Sequence, residues 1–474
     1  MSAQSALCLR VATFAGLDVS GVRSTWSSRL SRPLGAILVL SVSCVVGACH
    51  GSRSPATGAA DACAFCDADA GSSVCPAACR SALSDDCDSV VGPYRDANAI
   101  TIGALYSTEG PGAAIGLARR QSASLAVEQI DSAGGVPIAN GRARPLAMIA
   151  CDESRDLLRA SRHLVSDLGV SAIIGPDTTQ DMLDLARKLT IASGTLLMSP
   201  SALAASISDL VDQDLAWTMV PHDSDRAALM VDQVGAIERA LHAQRGSGPL
   251  KLGIVFRNDA LGQSTRVSLD QLSFNGAGLT DPINLNDHVR VDPYEPDAPE
   301  QSALVASYLD FSPDVIVLIG ETESVSQIMA PLETSWPSDK PKPEYLVTDA
   351  SKVPELLTLA SRVSDLSARL RGIGVTFTDD ARAAHQLFVS DYQMRRPGID
   401  PTLSGVASSR DAVIAIGAAL AANPVAVPVG SDVAAGLRTL SIGGDAIDAA
   451  SPDLMARLAR GDHLSAIGSE GALQ

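Results

Sequence analysis

Three turns in this chain concentrate residues suited to holding a small polar ligand. They are Ser107 with Gly110-Pro111-Gly112, then Gly175-Pro176-Asp177-Thr178-Thr179, then Ser199-Pro200-Ser201-Ala202. Each follows a short apolar run and precedes a helical pattern. Only small or ring-locked residues tolerate such turns. The elements that position the first turn are legible. Ile100, Ile102 and Leu105 lie in an apolar run of strand length. Ala114, Ala118, Leu125, Ala126, Ile130 and Ala133 then recur along one stripe of a helix, and Gly134-Gly135 supplies the left-handed residue that ends it. A strand whose carboxyl end opens onto a helix through a small-residue loop is where open α/β sheets bind small ligands.

The pattern repeats. Leu146–Ala150 reads as a second strand, followed by a helix over 155–168. Ala172–Ile174 and Thr195–Met198 are the next strands, and Trp217–Val220 an exit strand. A second series opens with Lys251–Phe256, Val315–Ile319, Tyr345–Thr348 and Ile373–Phe377, with helices between. Residues 282–302, rich in Asp and Pro, read as a loop with a short strand. Two successive βα series imply an α/β protein of two similar Rossmann-like lobes, each a parallel sheet covered on both faces.

The N-terminus points to export. Arg23, Arg29 and Arg32 precede an apolar run from Leu34 to Val46, then Val46-Gly47-Ala48-Cys49. A positive flank, a short apolar segment and small residues before a cleavage point make a secretory signal over residues 1–48. The last four residues resemble a bacterial lipobox, which makes Cys49 the expected lipid-bearing first residue of a mature lipoprotein held at the cell envelope. A plain signal peptide or a membrane anchor is the rival reading, although the run is short for a span. Residues 49–97 read as a flexible tether and a Cys-rich segment. Cys63, Cys66, Cys75, Cys79, Cys87 and Cys151 are the disulfide candidates, five of them crowded together with Cys151 as the sixth partner, and sequence alone does not choose their pairing. Zinc is the rival there, since Cys63-x-x-Cys66 and Cys75-x-x-x-Cys79 approximate ligand spacing, but no histidine accompanies them.

Composition narrows the partners. The chain of 474 residues carries a formal net charge of −18. Removing residues 1–48 takes four basic residues and one acid from totals of 36 and 54, leaving −21. Such a balance argues against nucleic acid or an anionic membrane surface as a partner. Enzyme signatures are missing. There is no Gly-x-Ser-x-Gly elbow, no Gly-Lys of a phosphate-cradling loop and no His-Glu-x-x-His. Gly110–Gly116 imitates a dinucleotide fingerprint with its last spacing one residue too long. His163, His222 and His385 form no recognisable acid–base or metal pair. No enzymatic activity, cofactor or metal is expected.

The run from Ile100 to Ala450 resembles the type I periplasmic binding proteins, in their leucine/isoleucine/valine- and amide-binding branch. The resemblance rests on Gly110-Pro111 with Asp131–Gly135, Ile174-Gly175-Pro176, Ser199–Ala202, Asn258–Gly262 and Ser312–Val317, in that order. It implies two lobes joined by a hinge, with lobe 1 over 98–222, part of 378–450 returning to it, lobe 2 over 223–377, and a C-terminal tail over 451–474. It also implies capture of a small amino-acid- or amide-like ligand for an ABC-type permease, with a sensing receptor or a non-transporting scaffold of the same fold as the alternative. Carried onto this chain, the ligand residues are Thr178, Thr179, Ser201, Ala202 and Leu203 from lobe 1. Lobe 2 supplies Leu261, Glu321 and Asp349, with Glu109 at the rim. Backbone N–H groups at helix starts, with hydroxyls beside them, suit a carboxylate or amide. Thr178 and Ser201 are equally read as helix caps, and Glu321 and Asp349 as solvated loop acids. Two positions depart from the pattern: Leu203 stands where amino-acid binders carry a threonine, and Leu261 where they carry an aromatic.

Overall fold

The structure is a computed structural model that describes residues 81–474 except 111, 138–141, 286, 441–443, 471–472 and 474. The expected signal segment, Cys49, Cys63, Cys66, Cys75 and Cys79 lie outside the described residues.

Two separate sheets organise the chain. The first holds β1 (Cys87–Val91), β2 (Ile100–Tyr106), β3 (Leu146–Asp152), β4 (Ala172–Ile174), β5 (Leu196–Ser199) and β6 (Ala216–Thr218), in the order β1-β3-β2-β4-β5-β6. The second holds β7 (Leu252–Arg257), β8 (Val289–Tyr294), β9 (Val315–Ile319), β10 (Glu344–Thr348) and β11 (Leu370–Ile373), in the order β8-β7-β9-β10-β11. Except for β1, which runs antiparallel to β3, every pairing in both sheets is parallel. Sequence explains the burial. Val315–Ile319 and Leu146–Asp152 are buried at every position, as strands covered on both faces must be. Alternate residues feed opposite cores. Ile100, Ile102 and Ala104 enter one cluster and Leu105 another; Val315 and Val317 enter one, Ile316 and Leu318 another.

Setting β1 aside, the two sheets share one strand order, in which the second strand lies outside the first and the third lies on its other side. The switch point of each sheet therefore falls between its first and third strands, β2 and β4 in one lobe, β7 and β9 in the other. Open α/β sheets bind ligands at the carboxyl ends of those strands.

Helix α1 (Ala113–Ser132) follows β2, α2 (Glu153–Arg162) follows β3, α3 (Thr179–Leu185) follows β4 and α4 (Ala227–Arg245) leads into the second sheet. Helix α5 (Ala260–Val267) follows β7. In α1 the expected stripe members Ala118, Leu125, Ala126 and Ile130 are buried, and Gly134 and Gly135 take positive φ after its last turn. Gly116 and Gly262 occupy equivalent places in the two lobes. A Cβ on Gly116 would sit 1.9 Å from the Ser107 carbonyl oxygen, and one on Gly262 would sit 1.8 Å from that of Arg257. Glycine thus lets each helix press against the end of its own strand.

Two features differ from the sequence reading. Within the expected tether, Cys87–Val91 forms the edge strand β1, stapled to β3 by a Cys87–Cys151 disulfide. The short strand expected within 282–302 is Val289–Tyr294, six residues in register with β7. The segment 451–474 is no loose tail: Leu454, Met455, Leu458, Leu464 and Ala466 are buried in the first lobe's core. That core also takes α6 (Val406–Ala422), buried almost end to end, as a helix apolar all round must be. Among the described residues no helix is long and apolar enough to cross a membrane.

Candidate functional site

The carboxyl ends of β2, β4, β7 and β9 converge on one cavity of about 110 Å³ between the lobes. Helix α3 of the first lobe and α5 of the second lie beside it, and Ala260 at the start of α5 packs against the first lobe's apolar cluster. Ser107, Arg119, Asp177, Thr178, Thr179, Ser201 and Leu203 line one wall, while Leu261, Glu321, Thr322, Glu323 and Val353 line the other.

The first wall is polar but internally satisfied. Thr178 caps α3: its Oγ1 accepts from Asp181 N at 3.1 Å and donates to Asp181 Oδ2 at 2.7 Å. Thr179 Oγ1 accepts from Leu203 N at 3.0 Å, and Ser201 Oγ donates to the Asp177 carbonyl at 2.7 Å. Ser199 Oγ, behind them, accepts from Ala202 N at 3.0 Å. The hydroxyls that the sequence assigned to a ligand are therefore capping α3 and fastening two turns to each other. The backbone N–H groups of Ala202 and Leu203 are consumed in the same way.

Beneath this wall lies a buried charge cluster. Arg119 Nη1 is 2.9 Å from Asp177 Oδ1, with both side chains under one-tenth exposed, and Arg119 Nε donates to the Ser404 carbonyl at 2.9 Å. Asp177 Oδ2 accepts from Ser107 N at 3.2 Å. Glu153, the first residue of α2, accepts from Asp177 N at 3.1 Å and from Ser107 Oγ at 2.9 Å. Burial raises the Glu153 carboxyl well above its usual range, and the neighbouring charges of Asp177 and Asp181 add to it. Burial also raises Asp177 against the opposing pull of Arg119, and Asp181 against the hydroxyl of Thr178. Glu321 of the second lobe acts on both aspartates across the cavity.

The second wall is built on Arg257, the last residue of β7. Its Nε donates to Asp259 Oδ2 at 2.6 Å, and its Nη1 donates to Glu321 Oε2 at 2.6 Å and lies 3.4 Å from Glu323 Oε1. Tyr294 OH donates to Glu323 Oε1 at 2.7 Å. The Glu321 side chain keeps 32% of its surface exposed, against 8% for Arg257. Burial raises the Glu323 carboxyl, partly countered by Arg257.

Of the residues assigned to a ligand from sequence, Thr178, Thr179, Ser201, Leu203, Leu261 and Glu321 line the cavity. Ala202 is fully buried behind it. Two others of the assigned residues stand outside the cavity lining. Glu109 is exposed and ion-paired with Arg155, away from the cavity lining. Asp349 binds Arg226 and accepts from Val375 N at 3.1 Å. Arg226 and Val375 lie on the two stretches that link the sheets, so this carboxylate fastens both links together. Sequence reasoning missed Arg119, Asp177 and Glu323. The signal for Arg119 was available, an arginine beside Ala118 on the buried stripe of α1 with no acid in helical reach. Its partner Asp177 arrives from a distant turn. Among the described residues no group of His, Cys, Asp and Glu is arranged to hold a metal ion.

A model of the periplasmic binding protein family matches residues 99–452 of this chain. Several solved structures share its fold. The branched-chain amino acid transporter substrate-binding protein LivJ of Streptococcus pneumoniae, solved with isoleucine, is 18% identical, covers 71% of this chain and 87% of its own, and superposes with a TM-score of 0.54. The leucine-binding protein LivK of Thermotoga maritima is 14% identical, with 72% and 87% covered and a TM-score of 0.53. An ABC transporter substrate-binding protein of Desulfitobacterium hafniense, in complex with Leu, is 18% identical, with 79% and 92% covered and a TM-score of 0.52. At such identities the likeness is one of fold. No curated protein matches the chain.

Proposed function

This chain belongs to the periplasmic binding protein family, and we propose that it captures a small solute in the cleft between its lobes and hands it to an ABC-type importer. The observation that carries the reading is convergence: the switch points of two sheets with one strand order meet at a single cavity lined by polar and apolar groups. Ligand contact falls to Thr178, Thr179, Ser201, Leu203, Leu261 and Glu321, joined by Arg119, Asp177 and Glu323. The protein works outside the cytoplasm, exported by residues 1–48 and anchored through lipid on Cys49. A Cys87–Cys151 disulfide suits that oxidising setting. Domain assignment follows the sheets, with the links near 219–226 and 374–381 acting as the hinge and Asp349 clasping both.

Capture works by enclosure. Closing two walls over a solute removes it from water, and polar groups held by their own hydrogen bonds meet it without reorganising. The test is a thermal-shift screen of the full-length protein against amino acids, amides, amines and short peptides. A solute bound only by the folded form raises the melting temperature; at 100 times its Kd the gain is about 2.7 kcal/mol. No shift from any class, with a cleft-filling Leu203→Trp variant behaving like the parent, overturns the reading. Labelling with a radioactive fatty acid tests the anchor: the parent takes up label and Cys49→Ser does not.

A further inference from the structure

We infer that the solute is a compact organic cation, an alkyl ammonium with no carboxylate; this rests on the capture reading above. Four observations carry it.

First, several donors that would receive a carboxylate are already engaged. Ala202 N serves Ser199 Oγ, Leu203 N serves Thr179 Oγ1 and Ser107 N serves Asp177 Oδ2. Arg119 gives Nε to Ser404 and holds Nη1 against Asp177; Arg257 gives Nε to Asp259 and Nη1 to Glu321. A carboxylate entering this cavity would compete with those acceptors for their donors, and a buried ion short of donors is expensive. Leu203 also presents only carbon on its side chain.

Second, the acids outnumber the bases. Asp177, Glu321 and Glu323 line the cavity with Arg119 alone opposing them there. Arg257 stands behind and is already shared among Asp259, Glu321 and Glu323. Third, one buried acceptor has capacity to spare. Asp177 is 6% exposed, and among the described residues its Oδ1 has no partner but the Arg119 guanidinium, 2.9 Å away. An ammonium supplies a further donor and offsets the surplus of acids, with three N–H groups to divide between Asp177 and Glu321.

Fourth, size and lining set the remainder. An apolar cavity of 150 Å³ holds benzene, so about 110 Å³ suits roughly six non-hydrogen atoms or fewer. Ile115, Leu203, Leu261 and Val353 receive the alkyl part.

Isothermal titration of the full-length protein with three related probes decides the matter. They are 3-methylbutylamine, leucine and 4-methylpentanoate, which share an alkyl chain and carry respectively the ammonium alone, both groups, and the carboxylate alone. The amine is expected to bind at least about tenfold more tightly than leucine, and the acid to give no binding heat. Glu321→Gln, which leaves Arg257 paired with Asp259 and Glu323, is expected to weaken the amine about tenfold at an unchanged apo melting temperature. Leucine or the acid binding more tightly than the amine overturns the inference and leaves capture standing. No binding by any of the three overturns the inference too, and the broader thermal-shift screen then reports separately on capture.

Discussion

The two lobes carry the same strand order and the same glycine contact between first helix and first strand, yet their walls of the cleft are built differently. In the first, the hydroxyls of Thr178, Thr179 and Ser201 are all tied to other groups of the same lobe, and Arg119 and Asp177 are buried against each other. In the second, one arginine is besieged by three acids, and Glu321 keeps a third of its side chain open. The first wall fixes shape; the second presents charge. Among the described residues, the stapled edge strand belongs to the first lobe. One scaffold thus supports two tasks, because the strand ends set where side chains appear while the turns decide which of them remain available.

Several changes would break or sharpen that contrast. The largest concerns the staple. A disulfide closing 64 residues is worth about 4 kcal/mol by chain entropy, so Cys87→Ala with Cys151→Ala should lower the first lobe's unfolding transition by that order in denaturant melts. The second lobe's transition should stay in place, and equal shifts in both would mean that the lobes unfold as one.

Gly116→Ala and Gly262→Ala probe the shared part. Each forces a methyl against a backbone oxygen, at a cost of about 2–3 kcal/mol by overpacking. Thermal melts should show comparable losses, and a harmless change in either lobe would remove the equivalence.

The pH response should separate the lobes next. Glu470, beside Ser408 and Asp411 of the first lobe's core, is raised to about 7, chiefly by burial and then by Asp411. Its folded pKa exceeds its unfolded one, so its contribution is greatest below about 4.5 and is lost as pH climbs to about 7. Glu333 in the second lobe behaves oppositely. Burial works to raise it, but hydrogen bonds from Arg369 and Lys342 prevail and hold it below its usual range. Its contribution is present above about 4.5 and is lost as pH falls through that value. Between pH 5 and 7 the contribution of Glu470 should therefore fall, by about 2 kcal/mol, while that of Glu333 holds. Glu470→Gln should remove that part of the first lobe's pH dependence. The smallest effect belongs to Thr178→Ala, which removes a helix cap and should cost about 1 kcal/mol in the same melts.

Much of the fold was legible because parallel strands buried on both faces read as unbroken apolar runs; Val315–Ile319 is identical in sequence reading and structure. Cys87–Val91, which escaped, and Val289–Tyr294, legible only as a short strand within a loop, are edges, where one flank is open and alternation with polar residues blurs the signal. The site was legible in position more than in chemistry. Turns after β4 and β5 announce themselves through glycine, proline and hydroxyls, but whether a hydroxyl faces a ligand or its own backbone depends on turns brought together only by folding, as Thr179 and Leu203 are. The partners of Asp349, Arg226 and Val375, were hidden for the same reason, being remote in the chain. Arg119 was hidden because a charged residue on an apolar stripe reads as an interruption until Asp177 is seen beside it.

The central claim is that solute enters between the two walls. It is tested most directly by calorimetric titration of the solute giving the largest thermal shift, on the parent and on Leu203→Trp, whose indole fills the cavity. One site per chain on the parent and none on the folded variant is the predicted result. Equal binding by both would contradict it.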